Sequence, residues 1–365
     1  MPRWAFIHPF QLRLRRGIES YLWNISAGMG KTGVDVDILT WQGPLEVPAW
    51  VQEKRVRVYS APEVRYYQAL CAVPYHLPRL VGKHYDHIFI HFAGYGEGLI
   101  LRLMRALKSI PFSIVLHFPP SLVPHRYKEF ERWGCQAHAA HLIAVSQHVA
   151  AQVEKWAGRS CEVIGHGVDT ERFAPNPELR RTTRAQLDVR PDAPLLLTVA
   201  ALEERKGIQC VINALPRILE KHPETRYVVV GEGGYRSTLE EIVERRKLQR
   251  NVFLLGSMPD VRPYLCAADV FILPSWGEAS PVALFEAAAH ALPLVTSHHP
   301  PFDELLALDR GVMIEPTNID HVSLTITHLL DEPGERVRLG EAARRWVQDH
   351  CTWRKAALEY RALIG

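Results

Sequence analysis

The chain contains no apolar run approaching the roughly 18 residues a membrane-spanning helix needs, so the sequence offers no such span. Its cysteines (Cys71, Cys135, Cys161, Cys210, Cys266 and Cys351) are scattered singly, without a C-x-x-C pair. A disulfide framework and a zinc ribbon are thereby excluded, and the thiols read as small core residues in a reducing compartment. Neither sign of charge dominates: 43 basic against 40 acidic side chains leave a net +3, too weak a field to argue for a nucleic-acid partner. The apolar stretch Trp4 to Ile7 is too short for a signal-peptide core, which makes cytoplasmic residence the expectation. There is no internal repeat, no low-complexity tract and no D-x-D-like metal pair beside a donor strand.

What is present is the rhythm of βαβ units: short apolar runs separated by stretches long enough for a crossover helix. The first set runs through Trp4 to His8, Asp35 to Thr40, Val56 to Tyr59, His87 to His91, Ser113 to His117, His141 to Val145 and Glu162 to Ile164. The second comprises Leu195 to Ala200, Tyr227 to Gly231, Val252 to Leu255, Val270 to Leu273, Leu294 to Thr296 and Val312 to Ile314. Between them lies the proline-rich, charged text Ala174-Pro175-Asn176-Pro177 to Pro194, the signature of a linker. At 365 residues two domains are the natural expectation. They are placed at 1–175, joined by a returning C-terminal helix at about 351–365, and at 176–350. In doubly wound sheets ligands sit beyond the carboxyl ends of the strands, so the residues after each run are the candidates for chemistry.

The most informative segment is Pro274 to His290, where Glu278 and Glu286 stand eight positions apart. Ser280 reads as an N-cap and Pro281 as the first helical residue, with Val282 following. The amides of such a helix start suit a phosphate, and the carboxylates suit sugar hydroxyls. Arg205 and Lys206, after the run Leu195 to Ala200, can neutralise a diphosphate. Gly231 and Gly233 follow another strand, where glycine permits close backbone approach, but they do not complete a G-x-G-x-x-G fingerprint because Arg236 occupies its last position.

These strings resemble the family 4 retaining glycosyltransferases of the GT-B fold, whose Glu-x7-Glu motif matches Glu278 and Glu286. The resemblance extends to Ala268 to Ser275, Ala291 to Val295, Leu254 to Ser257, Gly165 to Phe173 and the C-terminal text from Arg345 to Tyr360, nearly the whole chain. It implies an α/β protein of two Rossmann-like doubly wound domains facing across a cleft. It further implies that Glu278 contacts the transferred sugar, that Glu286 contacts the ribose, and that Gly17, in a loop where relatives carry Gly-Gly and this chain has Arg16-Gly17, approaches the donor phosphate. His117 falls where relatives carry a histidine near the reacting sugar, and His91 is a further candidate of that kind. The Gly165 to Phe173 segment reads as a hinge, with His166 replacing the usual Asn. Where many relatives have Gly-Arg this chain has Ala200-Ala201, leaving Arg205 to stand in.

The resulting expectation is a metal-independent, cofactor-free transfer of a hexose from a UDP- or GDP-sugar to a sugar, lipid-linked or small-molecule acceptor in cell-envelope or polysaccharide biosynthesis. The alternative is an inactive sugar-nucleotide-binding or scaffold protein of the same fold. Peripheral membrane contact is suggested by Arg65, Tyr66, Tyr67, Tyr75, Leu77, Arg79 and Lys83 and by Arg102, Arg105 and Lys108. Pro74 and Pro78 are expected to break the first of these stretches.

Overall fold

The structure, a computed structural model, describes residues 1–11, 17–42, 55–61, 68–91, 110–306 and 309–365. Arg16, Arg65, Tyr66, Tyr67, Arg102, Arg105 and Lys108 therefore lie outside the described residues. The chain divides into two compact units, Met1–Gly167 with Trp353–Gly365, and Val168–Thr352.

The first unit is a parallel sheet of β1 (Arg3–Gln11), β2 (Asp35–Gln42), β3 (Val56–Ser60), β4 (His87–His91), β5 (Phe112–Leu116), β6 (Leu142–Ala144) and β7 (Glu162–Val163). Their order is β3-β2-β1-β4-β5-β6-β7. Every residue of β4 and β5 is buried, as strands covered on both faces must be. The helix Trp353–Ile364 completes this unit by lying on the helix Gly17–Lys31. Close approach depends on Gly28, where a Cβ would lie 2.8 Å from the Trp353 carbonyl oxygen. The buried hydroxyls of Tyr21 and Tyr360 meet at 2.7 Å, so neither is desolvated without a partner.

One sequence expectation fails here. The helix Gln68–Gly82 runs through both Pro74 and Pro78. Tertiary anchoring outweighs the missing amides: His76 is buried with Nε2 2.9 Å from the Thr40 carbonyl, and Leu80 is fully buried. At the end of this helix Lys83 does not face outward as a lipid-binding cation would. Its Nζ sits 2.9 Å from the buried Asp37 carboxylate, which also accepts from the Tyr85 hydroxyl at 2.7 Å.

The second unit is a parallel sheet of β8 (Leu195–Val199), β9 (Arg226–Val230), β10 (Val252–Leu254), β11 (Val270–Leu273), β12 (Leu294–Ser297) and β13 (Gly311–Ile314). The order β10-β9-β8-β11-β12-β13 places the reversal of winding between β8 and β11. Side-chain alternation feeds two cores. Leu195, Leu197, Phe271 and Leu273 join one with the helices Val282–Ala289 and Pro333–His350, while Leu196, Val270 and Ile272 join the other with Ile208–Lys221 and Ile319–Asp331.

This unit begins at Val168, not at residue 176, and ends at Thr352. The Val168 amide donates to the Cys351 carbonyl at 2.7 Å, Val168 pairs with Thr352, and Phe173 is buried in this unit's core. The linker text is correspondingly absorbed. Helix Pro177–Gln186 is capped by Asn176 and sends Arg180 and Arg184 onto Asp269 and the carbonyls of Ala267 and Ala268.

Candidate functional site

The candidate site of the second unit is assembled from the segments that follow β8 and β11, on either side of the winding reversal. After β8 the chain turns through a short 3-10 segment, Glu204–Lys206, closed by Gly207 at φ +70°. A side chain at Gly207 would collide with the Pro274 carbonyl, so the two segments touch through backbone. The Arg205 carbonyl accepts from the Trp276 amide at 2.8 Å and from Ser275 Oγ at 3.1 Å. Ser297 Oγ, at the end of β12, donates to the Ser275 carbonyl and ties down the third strand.

This frame brings Lys206 onto Glu278: Lys206 Nζ and Glu278 Oε1 form an ion pair, with side-chain exposures of only 11% and 9%. Arg205 is engaged differently. Its Nη1 donates to the Gly277 carbonyl at 2.5 Å and its Nε lies 2.7 Å from Glu203 Oε2, so its guanidinium braces the loop that presents Glu278.

The helix start differs from the reading of Ser280 as N-cap. Pro281, at φ −80° and ψ 98°, holds the cap position, and the helix is Val282–Ala289 without a side-chain cap. Ser280 stands one residue ahead of the cap position, and among the first-turn amides that of Leu284 donates to the Pro281 carbonyl at 3.0 Å. Glu286 lies within this helix and is half-buried. Desolvation pushes its carboxyl up to about 8, against the opposing pull of the Arg172 guanidinium and with a further push from Asp260.

Gly231 and Gly233 make their close approach to protein. At Gly231, φ is +152° and a Cβ would strike the Ala200 carbonyl; at Gly233 it would strike Leu202. The Gly231 amide donates to Gly256 at 2.9 Å, and the Leu202 amide donates to Glu232 at 3.0 Å. Three turns, after β8, β9 and β10, are thus laced together.

Gly17 and His117 belong to the first unit. Gly17 is exposed at the first position of its helix. His117, one residue past β5, is buried in a group with His8, His91, His166 and Tyr21. His117 Nε2 lies 3.2 Å from His91 Nδ1, and both rings are held well below the ordinary histidine range, chiefly by desolvation. Burial lowers His8 to about 4 and His166 to about 3. The group is therefore neutral near pH 7.

Sequence reasoning overlooked the charged set around Glu286. The loop after β10 carries Asp260 and Arg262, whose side chains form a fork with Arg262 Nε 2.9 Å from Asp260 Oδ1 and Arg262 Nη2 2.5 Å from Oδ2. Burial raises the Asp260 carboxyl, but the fork and the Arg262 amide outweigh it and hold the group below its usual range. The Asp-x-Arg spacing behind a short strand was the available signal. Among the described residues no cluster of His, Cys, Asp or Glu has the geometry of a metal site.

Chemically, the second unit offers one buried cation, two carboxylates and a helix N-terminus around the ends of β8 and β11. That set matches an anionic, hydroxyl-rich ligand.

Comparison with known proteins agrees with this architecture. Solved structures of similar fold include sucrose-phosphate synthase from Thermosynechococcus elongatus, with a TM-score of 0.83 at 19% identity over 100% of this chain and 98% of that one. Anabaena HepE in complex with UDP and glucose gives a TM-score of 0.84 at 17% identity, covering 99% of both chains. The two parallel-sheet units are thus those of the GT-B fold. The family model described as Glycosyltransferase Family 4 matches residues 15–172, and that described as Glycosyl transferases group 1 matches residues 180–346. The chain belongs to the family 4 glycosyltransferases.

One curated relative is the GDP-mannose-dependent alpha-(1-6)-phosphatidylinositol monomannoside mannosyltransferase of Mycolicibacterium smegmatis, 26% identical over 96% of this chain and 95% of its own length. A Corynebacterium glutamicum relative, named GDP-mannose-dependent monoacylated alpha-(1-6)-phosphatidylinositol monomannoside mannosyltransferase, is 27% identical. There the match spans 64% of this chain and 63% of the relative. No described helix is long and apolar enough to cross a membrane.

Proposed function

We propose that this glycosyltransferase moves a hexose from a UDP- or GDP-sugar to an acceptor hydroxyl with retention of the donor's anomeric configuration, in assembly of a cell-envelope glycan or polysaccharide. The observation that carries this reading is the buried Lys206–Glu278 pair at the winding reversal, with the Val282–Ala289 helix and Glu286 following it. Charge developing on the departing diphosphate is met by Lys206 and by the amides opening that helix. Glu278, pre-oriented by Lys206, accepts hydrogen bonds from the transferred sugar, and Glu286 accepts from the ribose. The leaving phosphate itself takes the acceptor proton on the same face, so no protein nucleophile is assigned. The GDP-mannose dependence in the names of two relatives favours GDP-mannose among the donors to be tried, and those names also favour a lipid-linked acceptor.

Transfer is proposed to run without a metal, because Lys206 supplies positive charge where such an ion would otherwise act. Activity abolished by a chelator and restored by Mg²⁺ or Mn²⁺ would contradict this. Peripheral membrane contact is proposed through the exposed Tyr75 and its neighbour Arg79; absence of co-sedimentation with anionic liposomes would remove it.

The test of the function is donor binding and hydrolysis across UDP-, GDP- and ADP-sugars, with Glu286→Ala and Lys206→Ala in parallel. One donor bound, slowly hydrolysed and lost in both variants is the expected result. A donor that binds without turnover with any acceptor would instead favour the sugar-nucleotide-binding alternative. That second reading draws on the bracing of Arg205 by Glu203 and Gly277, which occupies the arginine that sequence alone offered to the phosphate.

A further inference from the structure

Glu278 is held at two points by two consecutive residues. Lys206 grips its carboxylate, with Nζ on Oε1. Arg205 grips its main chain, because the Gly277 carbonyl that accepts from Arg205 Nη1 at 2.5 Å belongs to the peptide group joining Gly277 to Glu278. Ser275 Oγ lies 3.3 Å from the same oxygen and 3.4 Å from the Gly277 amide nitrogen.

These bonds carry the placement because packing at Gly277 does not. A Cβ added there would meet no atom within 4 Å, so neighbouring side chains leave this stretch room to turn. A peptide group is planar, and fixing its oxygen therefore fixes the direction from which the chain enters Glu278. Beyond Glu278 the chain is anchored by Ala279, which is buried.

Arg205 is itself steered. Its Nε lies 2.7 Å from Glu203 Oε2, so the guanidinium is directed by two partners rather than one. The turn beneath it is closed by the Lys206 amide on the Glu203 carbonyl at 3.0 Å and the Gly207 amide on the Glu204 carbonyl at 3.1 Å. A planar fork bonded at both Nε and Nη1 has one orientation, which an ammonium in its place would not have.

We propose that Arg205 is a positioning residue for recognition of the transferred sugar, acting through the Gly277–Glu278 peptide, and that it makes no contact with the diphosphate. The proposal rests on the reading of Glu278 as the sugar contact. It gives the brace a part in an active transferase: Lys206 serves the phosphate, and Arg205 sets the carboxylate that meets the sugar.

The experiment is calorimetric titration at pH 7.5 of GDP-mannose against GDP, and of UDP-glucose against UDP. The proteins are wild type, Arg205→Met, Arg205→Lys, Glu278→Gln and Arg205→Met combined with Glu278→Gln, each checked for cooperative thermal unfolding. The quantity read is the donor's affinity divided by that of its own diphosphate, which isolates the sugar. Loss of one charge-assisted bond should lower this ratio about tenfold in Arg205→Met, with diphosphate affinity kept within about twofold of wild type. Arg205→Lys, able to reach the carbonyl without forming the fork, should lie about threefold below wild type. In the double variant the ratio should equal that of Glu278→Gln alone, since no carboxylate is left to orient. Donor and diphosphate affinities that fall together in Arg205→Met, as a phosphate contact or a purely structural brace would produce, overturn the proposal while leaving Glu278 as the sugar contact. So does an unchanged ratio in Arg205→Met, or a further fall in the double variant. A wild-type ratio in Glu278→Gln, or no donor bound by wild type, overturns both.

Discussion

Replacing Lys206 by methionine removes the charge from a pair that water barely reaches, while keeping most of the side chain's volume. With exposures of 11% and 9%, solvent screening of the kind that weakens surface pairs is small. Deleting one member leaves the Glu278 carboxylate without its cation, a change that costs about 3–5 kcal/mol in buried pairs. In an α/β unit the size of Val168–Thr352, each kcal/mol moves Tm by about 2–4 °C, so a fall of about 10 °C is expected. Adding Glu278→Gln removes the orphaned charge, and the double variant should recover more than half of the loss. Differential scanning calorimetry of wild type, both single variants and the double variant at pH 7.5 closes the cycle. Donor binding should not recover with it, because a charge-assisted bond to phosphate, about 1.5–3 kcal/mol, is absent from the double variant too. A Lys206→Met variant that melts within about 2 °C of wild type, with effects additive to those of Glu278→Gln, would refute the coupling on which the site reading depends.

Gly231→Ala forces a side chain into the Ala200 carbonyl at a φ of +152°, and strain of about 1–3 kcal/mol should appear as a lowered Tm. Asp269→Ala removes the carboxylate from Arg184, which is 3% exposed and retains the carbonyls of Ala267, Arg190 and Ala193, and from Arg180. A loss of about 3 kcal/mol in chemical denaturation is expected, with nucleotide affinity of the folded fraction unchanged. The first unit should weaken in acid. His8 and His166, lowered to about 4 and about 3, stay neutral when folded but take protons near 6.5 when unfolded. Their contribution is therefore complete above pH 6.5 and lost as pH falls toward 4 and 3. Denaturant melts at pH 7.5, 6, 5 and 4 that show no decline would refute the neutral-cluster description.

The strands were legible because parallel strands buried on both faces read as unbroken apolar runs; Val270–Leu273 and His87–His91 were located to the residue. The turns after them could also be found, since the chemistry of such sheets gathers at strand ends. What sequence spacing could not supply were pairings set by the fold. Lys206 and Glu278 stand 72 positions apart, and only the adjacency of β8 and β11 brings them together. The helix through Pro74 and Pro78 misled for the opposite reason, because a local rule was overridden by His76 and Leu80 packing inward. Arg205 does stand in the turn after β8, but its bond to the Gly277 carbonyl depends on a loop met 72 residues later.

The loops around β8, β9 and β11 are held in register mostly by main chain: the Arg205 carbonyl with the Trp276 amide, the Gly231 amide with Gly256, and Gly207 lying on Pro274. Contacts of that kind are indifferent to side-chain identity. The rim positions Ala201 and Ser280 can therefore change with little harm to the frame, while the three glycines cannot. Such a scaffold separates the freedom to vary side chains at the rim from the obligation to stay folded.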